Sequence, residues 1–174
     1  MNCKTTPIPC FIVGCGHSGT SLLLSIIAKH GQVHAVTSET GIALKSFRRF
    51  KREVEELTKI AKYHKKLIFI EKTPRHILHI DKILEVNRDS KVLLIKRDGR
   101  DVATSLFRRS KSLTEGIQRW IECAEITLHY KNHPRIKVVS YESIIINFKK
   151  TISDILEFMG LDYDHKVEFF YQDN

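Results

Sequence analysis

The sequence predicts an α/β fold of three layers, a central and mostly parallel sheet flanked by helices on both faces. Three observations carry this expectation. Short apolar runs recur at residues 10–14, 67–70 and 92–95, and Ile136–Ser140 makes a fourth. Such runs suit strands buried on both faces. Stretches with helical patterning lie between them, and strands that alternate with helices build a parallel sheet. The first run, Phe11-Ile12-Val13, also ends in a glycine-rich turn that enters the apolar helix Leu22-Leu23-Leu24-Ser25-Ile26-Ile27 directly.

The elements follow in order. The first helix is expected over residues 20–29, and a long charged helix over residues 43–64. That helix is dense in Lys, Arg and Glu and reads as a solvated amphipathic element with Leu57, Ile60 and Ala61 turned inward. Residues 74–86 and 100–109 form the next two helices, the latter capped by Asp98 or Asp101. Leu113–Tyr130 and residues 151–159 complete the set, and Gly160 is a good stop for the last.

The 174 residues show no linker, repeat or low-complexity block, so a single domain over 1–174 is expected. A composition 42% hydrophobic and 28% charged is that of an ordinary globular chain. Net charge is +9 and the pI is about 9.4, which calls for an anionic partner without naming it. No signal pattern and no apolar run of about 18 residues is present, so a cytoplasmic chain without a membrane segment is expected. Cys3, Cys10, Cys15 and Cys123 lack C-x-x-C spacing and read as reduced thiols.

The turn Gly14-Cys15-Gly16-His17-Ser18-Gly19-Thr20-Ser21 is the first chemical signal. Its spacing Gly14-x4-Gly19-x-Ser21 is that of a P-loop, which makes the expected fold P-loop NTPase-like, but Thr20 stands where the P-loop lysine belongs. Backbone N–H groups and the dipole at such a helix start bind a phosphate or sulfate. Polar residues then gather at each predicted strand end: Glu71-Lys72-Thr73-Pro74-Arg75-His76, Lys96-Arg97-Asp98-Gly99-Arg100-Asp101 with Ser105 and Arg109 beyond, and Ser140-Tyr141-Glu142. Ligands of open parallel sheets bind at those ends.

Taken together, Gly-x-x-x-x-Gly-Thr-Ser, Glu-Lys-Thr-Pro and Arg-Asp-Gly-Arg-Asp-x-x-x-Ser-x-x-x-Arg resemble the P-loop sulfotransferases over residues 9–161, most closely the protein-tyrosine and carbohydrate branches. The resemblance implies transfer of a sulfuryl group from 3′-phosphoadenosine-5′-phosphosulfate (PAPS) to an acceptor hydroxyl by in-line displacement. The product is 3′,5′-bisphosphoadenosine (PAP), and no metal is expected. A loop without its lysine fits such a donor, which presents one phosphate and a sulfonate rather than a triphosphate with Mg²⁺.

By this resemblance Gly16, His17, Ser18, Gly19, Thr20 and Ser21 cradle the 5′-phosphosulfate, while Arg97, Ser105 and Arg109 grip the 3′-phosphate and Tyr141 lies near the nucleotide. Lys72 is the implied cation at the leaving group, and Glu39 the implied base, with His34 and His76 as alternatives. His17 departs from the family, which usually has Arg or Lys there; it is expected to hold the sulfonate or act as an acid. Relatives usually continue into a loop that covers the adenosine. Here only residues 162–174 follow, so that loop is expected to be short or absent, or replaced by Lys166 and Phe169-Phe170-Tyr171 or by another subunit.

The acceptor is expected to be a carbohydrate, with a tyrosyl group or small metabolite as alternatives, and the charge leaves an acidic acceptor open without choosing it. Two rivals stand beside this reading. One is a P-loop kinase or phosphotransferase, with Glu71 as a metal-side carboxylate and Ser21 on Mg²⁺. The other is a basic nucleic-acid-binding module, against which stands the lack of any stacking platform or binding signature.

Overall fold

The computed structural model describes residues 6–110 and 112–172, without the side chains of Arg109 and Ser110. Within them the strands are β1 (Ile8–Gly14), β2 (Val33–Ala35), β3 (Ile68–Lys72), β4 (Lys91–Lys96) and β5 (Ile136–Ser140). They form one all-parallel sheet in the order β2-β3-β1-β4-β5. Register runs from Ile8↔Ile68 to Ile12↔Lys72 on one side of β1 and from Cys10↔Lys91 to Gly14↔Ile95 on the other. The helices are α1 (Thr20–Ile27), α2 (Phe47–Tyr63), α3 (Ile80–Val86), α4 (Gly99–Ser110), α5 (Leu113–Tyr130), α6 (Tyr141–Ile146) and α7 (Phe148–Met159).

Strand pleating divides the core in two. Cys10 and Ile12 point to one face and pack with Leu23, Ile26 and Ile27 of α1 and with Ile152, Ile155 and Met159 of α7. Phe11 and Val13 point to the other, where Phe50 and Val54 of α2 and Ile80 and Ile83 of α3 cover them. Because both faces are covered, β1 is apolar without alternation. Phe11 anchors the second face, with edge contacts to Phe50 at 6.0 Å and Phe69 at 6.1 Å.

Several expectations change in detail. The helix expected over 43–64 is broken: Ile42–Leu44 is a 3-10 turn, Lys45 is extended, and α2 begins at Phe47. On α2 the buried residues are Phe50, Val54 and Ala61, while Ile60 is 42% exposed. Phe50 sets the buried stripe, and at about 100° per residue that turns Ile60 outward. The segment 74–86 is likewise a 3-10 turn, Pro74–His79, followed by α3. Two short elements, β2 and α6, are additions to the expected set. Gly160 closes α7 in the left-handed conformation, φ 81°.

The chain builds β2 and β3 on one side of β1, then crosses over to build β4 and β5 on the other. The reversal leaves a crevice at the carboxyl ends of β1 and β4, where an open parallel sheet takes its ligand.

Candidate active site

The β1–α1 turn forms the floor of this crevice. Gly14 passes so close to β4 that a Cβ would lie 2.5 Å from the Ile95 carbonyl oxygen. Gly19 has φ 93°, and a Cβ there would lie 2.3 Å from the Tyr141 ring. Both conditions require glycine. His17 is also left-handed, φ 67°. No side chain caps α1, and the bond from Leu23 N–H to the Gly19 carbonyl, 3.0 Å, opens its ladder. The preceding N–H groups are thereby left for an anion.

Ser18 does not take part as expected. Its N–H donates to the Cys15 carbonyl at 3.2 Å, and its side chain is buried away from the cleft, with the hydroxyl unpartnered. Cys15 itself packs against Cys123, and Cys10, Cys15 and Cys123 are free thiols. Burial pushes the Cys10 thiol up to about 12.

The end of β3 carries a buried polar network. Glu71 Oε1 accepts from Thr40 N–H at 3.2 Å, from Thr40 Oγ1 at 2.8 Å and from Thr73 Oγ1 at 2.6 Å. Glu71 Oε2 lies 3.0 Å from His76 Nδ1, while His76 Nε2 accepts from Ala43 N–H at 3.2 Å. The His76 proton therefore sits on Nδ1, facing Glu71. Burial pushes the Glu71 carboxyl up, but the N–H of His76 and the two threonine hydroxyls outweigh it and hold the carboxyl below its usual value. The network clamps the segment 40–43 and so fixes the neighbouring Glu39.

Glu39 points into the cleft and Lys72 Nζ donates to its Oε1 at 2.6 Å. Lys72 is only 8% exposed, so its charge lies behind the wall that Glu39 presents. The two histidines named as alternative bases are elsewhere. His76 is fully buried in the Glu71 network, and His34 stacks on His64 at 5.4 Å, outside the cleft. Glu71, cast as a metal-side carboxylate in the kinase reading, is likewise spent on Thr40, Thr73 and His76.

At the end of β4, Arg97 is held from three sides. Its guanidinium lies 4.3 Å from the centre of the Tyr141 ring, donates to the His17 carbonyl at 3.3 Å and pairs with Asp101 at 3.3 Å. Its Nε is buried and unpartnered. Ser105 Oγ lies 3.1 Å from His17 Nδ1, which joins α4 to the loop. Asp98 caps α4 by accepting from Arg100 N–H at 2.8 Å, and hydrogen bonds from Arg100 hold its carboxyl down to about 2. Glu142 steadies this corner by accepting from Asp98 N–H at 2.9 Å and from the Ser140 hydroxyl. Trp120 donates to the Arg97 carbonyl at 3.1 Å and packs on Gly99, where a Cβ would lie 2.6 Å from the indole.

The cleft has a volume of about 900 Å³ and brings together Gly16, His17, Gly19, Thr20, Ser21, Glu39, Arg97, Ser105 and Tyr141. The side chain of Arg109, expected beside them, lies outside the described residues. The C-terminal aromatic cluster does not cover the cleft. Val167 is buried in the α1–α7 core and Phe170 stacks on Phe148 at 5.9 Å, because that core offers an apolar face. Arg75 and Arg119 also line the cleft, and Glu142 and Trp120 support it. Sequence reasoning gave these four no role. Arg75 and Glu142 lay within quoted strand-end segments, but nothing in the pattern of α5 marks Arg119 or Trp120.

The donor set suits a nucleotide-borne anion pair. One phosphate-like group fits the uncapped start of α1, with Gly16 open to the cleft and no atom within 4 Å of a Cβ built there. A second fits the oriented Arg97 guanidinium and Ser105.

A parallel α/β sheet with an anion-binding turn at its switch point is the architecture of enzymes that handle phosphorylated or sulfated nucleotides. A sulfotransferase family model matches residues 42–165, and the chain belongs to that family. Solved structures agree in fold. The sulfotransferase domain of the Synechococcus PCC 7002 olefin synthase has a TM-score of 0.76 at 17% identity, covering 96% of this chain and 78% of that one. A sulfotransferase from Alicyclobacillus acidocaldarius gives 0.64 at 14%, covering 94% and 91%. The mouse sulfotransferase SULT7A1, solved as a complex with PAP, gives 0.66 at 16%, covering 95% of this chain and 63% of that one. No curated protein matches the chain in sequence. Among the described residues no helix is long and apolar enough to cross a membrane.

Proposed function

We propose that this chain, as a single catalytic domain, transfers a sulfuryl group from PAPS to an acceptor hydroxyl. The observation that carries the reading is the Glu39–Lys72 pair at 2.6 Å, placed in the cleft that also holds the open start of α1 and the oriented Arg97. Bound there, the donor supplies the sulfuryl group and a phosphate as leaving group.

The chain's own residues divide the work. Glu39 Oε1 takes the proton of the acceptor hydroxyl, and accepting it frees Lys72 from its partner. The ammonium then balances the negative charge that grows as the S–O bond breaks. N–H groups of Gly19, Thr20 and Ser21 hold the anion at the helix start, with His17 at their side. Arg97 and Ser105 hold the 3′-phosphate, and Tyr141 backs the guanidinium and flanks the nucleotide.

Calorimetric titration without metal, PAP against ATP, tests the reading. Selective binding of PAP is the expected result. Binding of ATP that requires Mg²⁺ would overturn it in favour of phosphotransfer, and binding of neither would also overturn it.

A further inference from the structure

Two arginines in the cleft have no task in the chemistry above. Arg75 lies on the 3-10 turn after β3, and Arg119 on α5. Both line the main cleft, and both also line an adjoining pocket of about 230 Å³. The two cavities share Gly16, Pro74, Arg75, Leu106 and Arg119, whereas Arg97, Ser105 and Tyr141 belong to the main cleft alone. The arginines thus border both cavities, whereas the residues assigned to the 3′-phosphate border only the first of the two.

Among the described residues, Arg97 is engaged with Asp101 and Lys72 with Glu39. Neither the Arg75 nor the Arg119 side chain makes an ion pair or hydrogen bond with any described residue. Glu122, one helical turn along from Arg119, faces only the adjoining pocket. Two permanent charges of one sign from separate elements repel across a shared wall, and a bound anion relieves that repulsion. Pro74 and Leu106 line both cavities with them and add apolar surface.

We infer that Arg75 and Arg119 select an acceptor that carries a carboxylate, sulfate or phosphate beside an apolar portion and the hydroxyl that is sulfated. The inference rests on the sulfotransferase reading and names the substrate class of that same site. Guanidinium pairs bind such groups with forked hydrogen bonds, which a neutral acceptor does not engage.

The test uses the full chain, PAPS and three matched pairs of acceptors: galacturonate and galactose, 4-hydroxybenzoate and 4-hydroxybenzyl alcohol, and a tyrosyl peptide flanked by glutamates or by glutamines. PAP titration of the wild type comes first, and failure there overturns the sulfotransferase reading itself. With PAP bound, the expected result is a kcat/KM favouring the anionic member of an accepted pair by about tenfold or more. R75A and R119A, both exposed positions, should erase this preference, mainly through KM, with PAP affinity and Tm unchanged. Arg119→Lys should restore part of it. A preference for neutral acceptors, no turnover of any anionic member, a preference that survives in the R75A/R119A double variant, or a loss of PAP affinity in that variant would each overturn the inference.

Discussion

Glu39 and Lys72 lie far apart in sequence, on an irregular segment and a strand, yet form the shortest charged contact of the cleft. If Lys72 balances leaving-group charge, Lys72→Ala lowers kcat by about 10²–10³-fold, the range seen for loss of one transition-state donor. PAP affinity should stay within a few fold, and a variant that lost affinity but kept kcat would contradict the assignment. Arg97→Ala should remove discrimination between 3′-phosphorylated and unphosphorylated adenosine nucleotides, read by competition binding. Glu71→Gln probes the clamp behind Glu39. Its carboxyl is held below its ordinary value of 4.5 when folded, so its stabilisation is present above that pH and is lost as pH falls through the folded value. The substitution should cost about 1–3 kcal/mol at pH 7, and the variant's stability should vary less with pH below 4.5 than the wild type's, by denaturant titration. An equal acid dependence would rule this out. The polar types at strand ends were legible in the sequence. The depth of His76 was not, since whether a lone histidine faces a cleft or a core depends on how the turn after β3 folds back on Phe11, 6.3 Å away.

Elements that sit in the sheet were the most legible, because burial on both faces writes itself as a continuous apolar run. β2 escaped, being three residues, Val-His-Ala, with no run to detect. On α2 Leu57 and Ala61 face inward as expected, but Ile60 was misread because it carries the same hydropathy signal as Phe50 and Val54, and only packing against β1 and β3 chooses between them. Phe50→Ala should accordingly cost about 3–5 kcal/mol, where Ile60→Ala costs little, a contrast that chemical denaturation measures directly. The β1–α1 turn yields a sharper expectation. Gly19→Ala meets both a left-handed backbone and the Tyr141 ring, and it should weaken PAP binding by more than its loss of stability. Unchanged affinity in a folded G19A protein would show that the turn does not hold the anion.

For the whole molecule, the proposed donor end of the cleft is assembled from the carboxyl ends of β1, β3, β4 and β5, four neighbours in one sheet. A ligand that joins those ends binds only the folded chain. Saturation with PAP at about 100 times its Kd should add about 2.7 kcal/mol, which for 174 residues raises Tm by roughly 5–10 °C. Thermal melts with and without PAP check this, and ATP without metal serves as the control. The excess of basic residues was visible in the sequence as a demand for anions, but the division proposed for it, between donor and acceptor, was not. Arg75 and Arg119 meet only because the turn after β3 and helix α5 flank the same crevice.

That division has a consequence for how such a protein changes over time. The proposed donor grip is built into the sheet, whose loss unfolds the chain, while the exposed side chains of Arg75 and Arg119 hold no other described residue in place. Substitution at the rim therefore costs little folding free energy and leaves the proposed nucleotide seat intact. New acceptors become reachable by single exposed replacements, one at a time, without passing through an unstable intermediate sequence.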